Sequence, residues 1–235
     1  MAGLPPKDRR PRALFPPVET ADQDGYLCSG LTLREDVLLE AYRQGIFPWF
    51  SSGGLVHWFS PDPRMVLDPA QFHVSRSLRK SLRGGGHEIS LDRDFRAVIR
   101  GCAGARGKQR GSTWITPDFV RAYCALHDLG WAHSIEVWID GQLAGGMYGV
   151  ALGGCFFGES MYSVRTDASK IAFASLSRQL TSWGFSMLDC QAHTDHLASL
   201  GAAAIPRVEF LARLARALES PSRRGPWTLE ADLQW

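Results

Sequence analysis

Residues 134–163 read SIEVWIDGQLAGGMYGVALGGCFFGESMYS, and the predicted fold is built around this stretch. Asp140–Gly141 separates two alternating apolar runs, which is a strong signal for a tight β-hairpin. From Thr166 to Trp183 the apolar residues recur at helical spacing instead, with Asp167 as the expected N-cap. Phe185–Asp189 then predicts a short buried strand. This order of strand, strand, helix and strand is typical of a mixed α/β sheet.

Three glycines interrupt the second apolar run, at Gly145, Gly146 and Gly149. An ordinary strand interior rarely contains so many, because glycine weakens a strand and leaves no side chain to pack. We expect either β-bulges here or a backbone that a ligand or a neighbouring chain segment approaches closely.

Polar side chains stand next to apolar strand residues at Glu159, Asp189 and Gln191. Unpaired polar groups are costly to bury, so each of these should have a partner. Two interpretations remain open from periodicity alone. The three side chains form a structural hydrogen-bond network, or they line a reactive cleft of the sheet.

The composition is that of a globular protein: 235 residues, of which 45% are hydrophobic and 21% charged. This length fits one large domain or two small ones. No apolar run approaches the roughly 20 residues that span a bilayer, and the basic, Pro-rich N-terminus lacks the apolar segment of a secretory signal. The five cysteines include no CxxC pair. We therefore expect a cytoplasmic protein with no membrane partner, no disulfide framework and no zinc ribbon.

The net charge of +2 conceals a strongly basic segment. Residues 73–110 contain ten Lys or Arg and three acidic residues, a net charge of +7, so the remainder of the chain carries −5. Val74–Leu82 is predicted to be a helix, and Gly101–Ser112 a Gly/Arg/Lys loop. The basic residues on and next to the helix are Arg76, Arg79, Lys80 and Arg83. They form either a solvated helix face or a binding surface for a polyanion such as RNA.

The N-terminal third of the chain predicts a separate small unit. Thr32–Glu35 matches a capping box that opens a helix ending at Gly45. Two aromatic groups follow, at Phe47–Phe50 and His57–Phe59, and they are too apolar for a solvent loop. We place a domain boundary near Asp62. The predicted division is a small domain at 1–62, with a mobile basic arm, and a larger domain at 63–235.

Beyond this boundary the pattern predicts further elements of the larger domain. They are a strand at Met65–Leu67, a helix capped by Asp92, a helix from Thr116 to Leu129 with Pro at its first position, an amphipathic helix opened by Pro206, and a loosely docked tail over 221–235.

Several short motifs resemble functional sites but lack features that those sites require. His193 and His196 follow Cys190, but zinc sites need three or four well-spaced ligands, so we predict no metal site. Gly158–Tyr162 lacks the second glycine of a nucleophile elbow. The chain contains no phosphate loop and no dinucleotide fingerprint before a helix. Three tryptophans are either core residues or stacking platforms for an unpaired base, namely Trp49, Trp58 and Trp114.

Eight short motifs in one order give the chain a recognisable resemblance. They are FPWF (47–50), WFSPDPR (58–64), TWIT (113–116), HSIEVW (133–138), GGMYGV (145–150), FGESM (157–161), DCQ (189–191) and SLGA (199–202). With these motifs the chain resembles the bacterial leucyl/phenylalanyl-tRNA–protein transferases over residues 25 to about 211. Any one motif is weak, whereas eight collinear motifs are specific.

The resemblance implies an α+β (mixed α/β) fold. A small N-terminal domain would precede a GNAT-like acyltransferase domain, with a mixed, largely antiparallel sheet flanked by helices. It implies transfer of Leu or Phe, and less readily Met, from aminoacyl-tRNA to the α-amine of proteins that begin with Arg or Lys. The new N-terminus would mark those proteins for degradation by the N-degron pathway. The resemblance implies no metal and no small cofactor, and we expect a monomer.

The resemblance also assigns roles to residues. Gln191 would contact the reacting centre, Asp189 would orient Gln191, and Glu159 would position the substrate amine. The substrate-binding positions would be Met147, Phe156, Leu176, Gly158, Ser160, Thr194, Trp49 and Trp114. The basic cluster of Arg76, Arg79, Lys80 and Arg83 would hold the acceptor stem, and the two tryptophans would lie near the terminal adenosine.

Two departures from the family pattern affect the expected specificity. Thr194 stands where the family commonly has Asn, and Leu176 stands where a Phe lines the pocket in relatives. The pocket could therefore be roomier than usual.

Two other functions compete with this interpretation. One is a CoA-dependent N-acetyltransferase, which would need a pyrophosphate-binding Gly/Arg loop that Arg165–Lys170 does not provide. The other is an RNA-binding module without catalysis.

Overall fold

The computed structural model describes residues 13–110 and 113–230, with the backbone alone for 106–110. The strands are β1 Tyr26–Ser29, β2 Phe47–Ser52, β3 Leu55–Phe59, β4 Arg64–Leu67, β5 Glu88–Leu91, β6 Ala132–Ile139, β7 Gln142–Leu152, β8 Cys155–Ser163, β9 Met187–Gln191 and β10 Ala203–Ile205. The helices are α1 Glu35–Arg43, α2 Arg76–Arg83, α3 Phe95–Arg110, α4 Pro117–Asp128, α5 Ala168–Ser182, α6 Asp195–Ser199 and α7 Arg207–Leu218.

A seven-stranded sheet with the order β10-β4-β9-β8-β7-β6-β5 dominates the molecule. Its neighbouring strands are antiparallel except for β8 and β9, which are parallel. Helix α5 connects these two strands, as a parallel pair requires a crossover. The predicted α+β class, with a mixed, largely antiparallel sheet flanked by helices, is confirmed.

The predicted hairpin is confirmed at Asp140–Gly141, where both residues have positive φ, as a tight two-residue turn demands. The glycines that interrupt β7 allow neighbouring chain segments to approach closely, which is one of the two predicted causes. A Cβ on Gly149 would lie 2.1 Å from the carbonyl oxygen of Phe157, and one on Gly146 would lie 2.5 Å from that of Ile135. The approaching chain segments are the neighbouring strands, so close packing within the sheet excludes larger residues here.

Two apolar layers cover the large sheet. We call the side packed by α1, α3, α4 and α7 the α3 face, and the side packed by α2 and α5 the α5 face. Alternate residues of one strand go to opposite layers, as in Phe157 on the α3 face and Phe156 on the α5 face. This alternation decides which predicted site residues can meet.

The first three strands form their own sheet in the order β1-β3-β2. Trp58 is fully buried in it, which settles the choice for this tryptophan in favour of a core residue. A register shift beside Trp49 leaves Trp49 and Phe50 both on the surface. The separate sheet supports the division near residue 62, which we retain as a proposal.

Three predicted local features are wrong. Helix α1 begins at Glu35 with Arg34 as its N-cap and no side-chain cap, so the capping box does not form. Helix α3 begins after Asp94, whose Oδ1 accepts the N–H of Ala97, and not at Asp92. Its backbone then continues through the predicted loop to Arg110.

The glycine at the start of that predicted loop has a packing role. A Cβ on Gly101 would lie 2.4 Å from the ring of Tyr162, so the residue permits close packing of α3 on β8 and does not end the helix. Asp167 is at the N-cap of α5 as predicted, but its carboxylate accepts from Ser81 and pairs with Lys170 rather than capping the helix.

The tail is not loosely docked over its described part, residues 221–230. Trp227 is only 3% exposed and stacks on His133 with ring centroids 3.6 Å apart. Its N–H donates to Asp92 Oδ2 at 2.7 Å. A polar, Pro-rich sequence predicted weak docking because it shows no periodicity, whereas one buried indole holds the segment. Residues 231–235 of the predicted tail lie outside the described residues.

Candidate active site

The two parallel strands β8 and β9 separate at the centre of the large sheet. Their pairing ends at Phe157 and Asp189, although β8 continues to Ser163. Just beyond the last pair, Gln191 Nε2 donates to Glu159 Oε1 at 2.8 Å. Gln191 has φ +64°, a left-handed conformation that is unusual for a residue with a side chain. The two polar side chains therefore meet across the opening between the strands.

Glu159 occupies a β-bulge on β8. Ser160 pairs with Tyr148 and Gly158 with Gly149, so Glu159 is the additional residue between them. The bulge presents its carboxylate to the α3 face, and Glu159 as a whole is only 6% exposed.

Two buried tyrosines complete the environment of this carboxylate. The hydroxyl of Tyr42 on α1 donates to Glu159 Oε1 at 2.7 Å, and that of Tyr123 on α4 donates to Oε2 at 2.8 Å. The two hydroxyls also lie 2.6 Å from each other. Together with Gln191, three donors satisfy the carboxylate.

Burial raises the pKa of Glu159 to about 7, and the negative charge of Asp189 acts in the same direction. The bonds from Tyr42, Tyr123 and Gln191 favour the ionised form and limit this rise in pKa. Burial, reinforced by the charge of Glu159, raises the pKa of both tyrosines well above the ordinary value. The tyrosines thus remain donors, while Glu159 can exchange a proton near neutral pH.

Asp189 is paired with an arginine that the sequence did not single out. Arg64 Nε and Nη2 donate to the two oxygens of Asp189 at 2.9 and 2.6 Å, and both side chains are fully buried. The guanidinium lies between the rings of Phe47 and Phe210, 4.7 and 4.6 Å from their centroids. Asp189 Oδ1 also accepts the backbone N–H of Gln191 at 2.9 Å. Asp189 thus contacts the backbone of Gln191, while Glu159 contacts its side chain.

Sequence reasoning missed Arg64, Tyr42 and Tyr123 as site residues. Arg64 lies within the WFSPDPR motif, which offered a signal. The tyrosines lie on the apolar faces of α1 and α4, where helical periodicity marks them only as core residues.

The residues expected to line the amino-acid pocket lie on the other side of the sheet. Met147, Phe156 and Leu176 belong to the apolar layer of the α5 face and are buried. Half-exposed Gly158 lies between this layer and the opening. A Cβ on Gly158 would lie 3.6 Å from Leu188 and 3.8 Å from Met147. At Gly158 the apolar layer therefore approaches Glu159 and Gln191, which we call the polar centre.

Other expected substrate-binding residues lie around this centre. Ser160 is buried next to Glu159 along β8, and its Oγ has no hydrogen-bond partner among the described residues. Thr194 is exposed and caps α6, with its Oγ1 accepting the N–H of Leu197. Its expected role in substrate binding stays a prediction.

The two remaining tryptophans each lie one aromatic residue away from the site. Trp49 is 36% exposed and near Phe47, which contacts Arg64. Trp114 packs edge-on against Phe119, which stacks on Tyr123. Each tryptophan is thus connected to a residue of the site through one intervening aromatic ring, Phe47 for Trp49 and Phe119 for Trp114.

The predicted basic segment divides between the two faces of the sheet. All four residues of the α2 cluster are exposed, while Leu78 and Leu82 of the same helix pack on the α5 face. Helix α3 packs on the opposite face. Within the part of the chain that the structure describes, none of Arg76, Arg79, Lys80 and Arg83 forms an ion pair. Sequence proximity therefore overstated the size of the basic surface.

No group of three His, Cys, Asp or Glu residues lies close enough to hold a metal ion within 13–110 and 113–230. In those ranges no helix has the length and apolar character to cross a membrane. Three surface clefts of about 290, 450 and 220 Å³ are lined by residues other than Glu159 and Gln191, so cleft size alone does not locate the polar centre.

Solved structures that align with the chain include acetyltransferases at low similarity. A GCN5-related N-acetyltransferase from Kribbella flavida is 12% identical, with 72% of this chain and 59% of that chain covered and a TM-score of 0.39. The structure of L-PGS from Bacillus licheniformis is 11% identical, with 69% and 58% covered and a TM-score of 0.40. At TM-scores below 0.5, these likenesses carry no argument about activity.

Sequence comparison gives a much closer relationship. The protein from Nitrosospira multiformis described as leucyl/phenylalanyl-tRNA–protein transferase is 54% identical over 220 residues, 93% of this chain and 94% of the relative. The protein of that name from Myxococcus xanthus is 50% identical over 215 residues, 92% of each chain. The family model for leucyl/phenylalanyl-tRNA protein transferase matches residues 66–215, and the model for its N-terminal domain matches residues 32–62.

The chain has a mixed α/β fold, in which Glu159 and Gln191 meet where two parallel strands separate. Its relatives identify it as a transferase enzyme. The chain belongs to the leucyl/phenylalanyl-tRNA protein transferase family.

Proposed function

We propose that the protein transfers Leu or Phe, and less readily Met, from aminoacyl-tRNA to the α-amine of proteins that begin with Arg or Lys. The products would be substrates for N-degron-dependent degradation in the cytoplasm, where charged tRNA is made. Family membership supports the reaction class. The observation that carries the assignment of the site is the bond between Gln191 and Glu159 across the opening of the sheet.

The reaction needs no covalent enzyme nucleophile, because the ester that joins the amino acid to tRNA is already activated. The acceptor nitrogen attacks the ester carbonyl, a C–N bond forms, and the bond to the ribose oxygen breaks. One proton leaves the amine and one must reach the ribose oxygen. The enzyme has to orient the two substrates, assist the proton transfer and stabilise the oxyanion.

In this proposal Gln191 orients the amine. Its Nε2 is committed to Glu159, so its Oε1 remains to accept an N–H of the attacking amine. A neutral amide is a very weak base, so Gln191 would not hold the proton itself. A ribose hydroxyl of the tRNA would carry the proton to the leaving oxygen. Asp189 and Arg64 would act by holding the backbone of Gln191 in its unusual conformation.

Glu159 would keep the acceptor amine in place electrostatically. Its carboxylate lies behind Gln191 and is ionised as pH rises through its pKa of about 7. A negative group at this position favours a cationic or polarised amine. Tyr42 and Tyr123 would keep the carboxylate from rotating away, since each donates to a different oxygen.

The amino-acid side chain would enter over Gly158 towards Met147, Phe156 and Leu176. This layer is apolar and buried, which suits Leu, Phe or Met. Apolar pockets discriminate by roughly 1–3 kcal/mol per methylene, enough to disfavour Ala or Gly but not Met.

The tRNA would be held by positions outside this pocket. We propose Trp49 and Trp114 for the terminal adenosine and the α2 cluster for the phosphates of the acceptor stem. Phosphate contacts position an RNA without reading its sequence. The esterified amino acid would therefore set most of the specificity.

The test is transfer of labelled leucine from charged tRNA to two proteins that differ only in beginning with Arg or with Met. We expect label on the Arg protein alone. Equal labelling of both would overturn the acceptor rule. No labelling with leucyl-, phenylalanyl- or methionyl-tRNA would overturn the proposed reaction.

A further inference from the structure

The C-terminal segment, residues 220–230, lies beyond the region that the family model matches, yet it reaches the apolar layer of the α5 face. Trp227 provides the contact. Its ring centroid lies 6.0 Å from that of Phe156, at an interplanar angle of 40°. Phe156 is one of the residues proposed to line the amino-acid pocket. A segment with no part in the sequence motifs thus packs directly behind this pocket.

The position of the Trp227 ring is tightly determined. One of its faces stacks on His133, with an interplanar angle of 3°. Trp183 and Phe185 meet it edge-on at 4.9 and 6.0 Å. Its indole N–H donates to the carbonyl of Arg223 at 2.9 Å, and its backbone N–H donates to Asp92. These contacts hold the indole as a rigid support.

Phe156 has little freedom to move against that support. Its ring lies so close to Gly149 that a Cβ there would be 2.5 and 2.6 Å from two of its ring carbons. The bare glycine backbone and the indole of Trp227 are both in contact with the Phe156 ring. Interiors packed to this density transmit a change of volume to neighbouring side chains.

From these contacts we propose that Trp227 is a positioning residue for specificity, acting through Phe156 to limit the depth of the amino-acid pocket. The inference rests on the proposed function, because it requires that Phe156 faces the transferred amino acid. A smaller residue at 227 leaves space into which Phe156 can move. The pocket then becomes deeper and favours the longer Phe side chain over Leu.

The experiment compares kcat/KM for phenylalanyl-tRNA and for leucyl-tRNA, with an Arg-initiated acceptor, in the full-length protein and in Trp227→Leu. The ratio of the two values does not depend on the fraction of enzyme that is folded, so a purely structural role would not change it. We expect the ratio to move towards Phe by roughly fivefold or more, within the range for one methylene in an apolar pocket. A ratio within twofold of the wild type would overturn the proposal.

Trp183→Leu is the matched control. Trp183 also secures the C-terminal segment, through Arg223 over its ring at 4.1 Å and through a bond from its Nε1 to Glu230 at 2.6 Å. Among the residues that the structure describes, its ring packs against that of Trp227 and not against that of Phe156. We expect Trp183→Leu to lower the Tm and to change the Phe/Leu ratio much less than Trp227→Leu does, because the indole of Trp227 keeps its contacts with His133, Phe185 and Asp92. An equal change in both variants would mean that docking of the segment, and not Trp227, sets the pocket, and the proposal would fall.

If Trp227→Leu does not fold, Trp227→Phe makes the same comparison with a smaller loss of volume. The expected shift is then about twofold to threefold in the same direction, and an unchanged ratio counts against the proposal. A wild-type protein that transfers neither amino acid would overturn the proposed function and this inference together. Activity with both amino acids but no shift would overturn the inference alone.

Discussion

Arg64 and Asp189 are 125 positions apart in the sequence, yet they form a two-bond ion pair with no solvent exposure on either side chain. The oxygen of Asp189 that accepts from Arg64 Nε also accepts the backbone N–H of Gln191. The pair therefore connects the core of the molecule to the residue proposed to orient the attacking amine.

Replacing this arginine should affect both stability and turnover. Breaking a buried ion pair by removing one partner costs about 3–5 kcal/mol, because the other charge stays buried. Arg64→Met should lose this amount in the free energy of unfolding, measured by urea denaturation. Arg64→Lys retains the charge but not the paired geometry. We therefore expect its loss of transition-state stabilisation, calculated from kcat, to exceed its loss in the free energy of unfolding.

Arg96→Lys is the control for that substitution. Arg96 contacts both oxygens of Asp128, but the two side chains are 52% and 59% exposed. Exposed pairs contribute about 0–1 kcal/mol, so stability and kcat should change little. Equal losses in Arg64→Lys and Arg96→Lys would argue against a positioning role for Arg64.

Glu159→Gln should lower kcat by about a hundredfold or more while the KM for aminoacyl-tRNA changes little. The substitution removes the charge behind Gln191 and replaces one acceptor oxygen with an NH2 donor, which opposes the donors that the carboxylate had accepted. If the ionised form is the active one, kcat of the wild type rises as pH increases through about 7, the pKa of Glu159. That rise should be absent in Glu159→Gln, as pre-steady-state transfer assays over pH 5.5–8.5 would measure.

Glu136→Gln is the matched control for the loss of a buried carboxylate. Glu136 is also fully buried in the large sheet, and burial raises its pKa, but its bonds are to Ser134 and Ser90. We expect its kcat to stay within a few-fold of wild type. A comparable loss in both variants would mean that the effect arises from stability.

The raised pKa of Glu159 also predicts how stability depends on pH. Between about pH 4.5 and 7 the folded protein retains a proton on Glu159 that the unfolded chain has released. The free energy of unfolding contributed by this group is therefore full at low pH and falls as pH rises through that window. At 1.36 kcal/mol per unit, the decrease is about 3 kcal/mol.

Glu159→Gln removes this titration. The free energy of unfolding of the variant minus that of the wild type should therefore increase by about 3 kcal/mol from pH 4.5 to pH 8. Urea denaturation at both pH values, with wild type and variant in parallel, measures the difference. A constant difference between the two proteins would show that Glu159 titrates at the same pH in the folded and unfolded chains.

The double substitution Arg79→Ala with Lys80→Ala should raise the KM for aminoacyl-tRNA and leave kcat nearly unchanged. Both side chains are exposed on α2, the helix that packs on the α5 face through Leu78 and Leu82. Each lost phosphate contact should also reduce the slope of log K against log salt by about 1. The control is the double substitution Arg213→Ala with Arg216→Ala, which also removes two positive charges, but from exposed positions of α7. An unaltered KM at moderate salt would exclude the α2 cluster from the tRNA site.

Much of the local structure could be predicted from the sequence by itself. The Asp140–Gly141 hairpin, the helix before Gly184, α4 and the amphipathic α7 follow from turn residues, caps and apolar periodicity, all of which act over a few residues. The ordered motifs identified the family, and they placed Glu159, Asp189 and Gln191 together. The local errors arose at residue types that occur in more than one structural role. Gly101 looked like a chain breaker and instead permits close packing against Tyr162.

The tertiary structure alone decided which distant side chains meet. Arg64 reaches Asp189 because β4 lies next to β9, and Tyr42 and Tyr123 reach Glu159 because α1 and α4 cover the same face of the sheet. The basic residues divide between two faces, and Trp227 enters the core from a segment with no periodicity. Local preferences specify helices and strands, whereas strand order and helix placement depend on how the whole chain buries its apolar surface. The partners of buried charges are set at that second level.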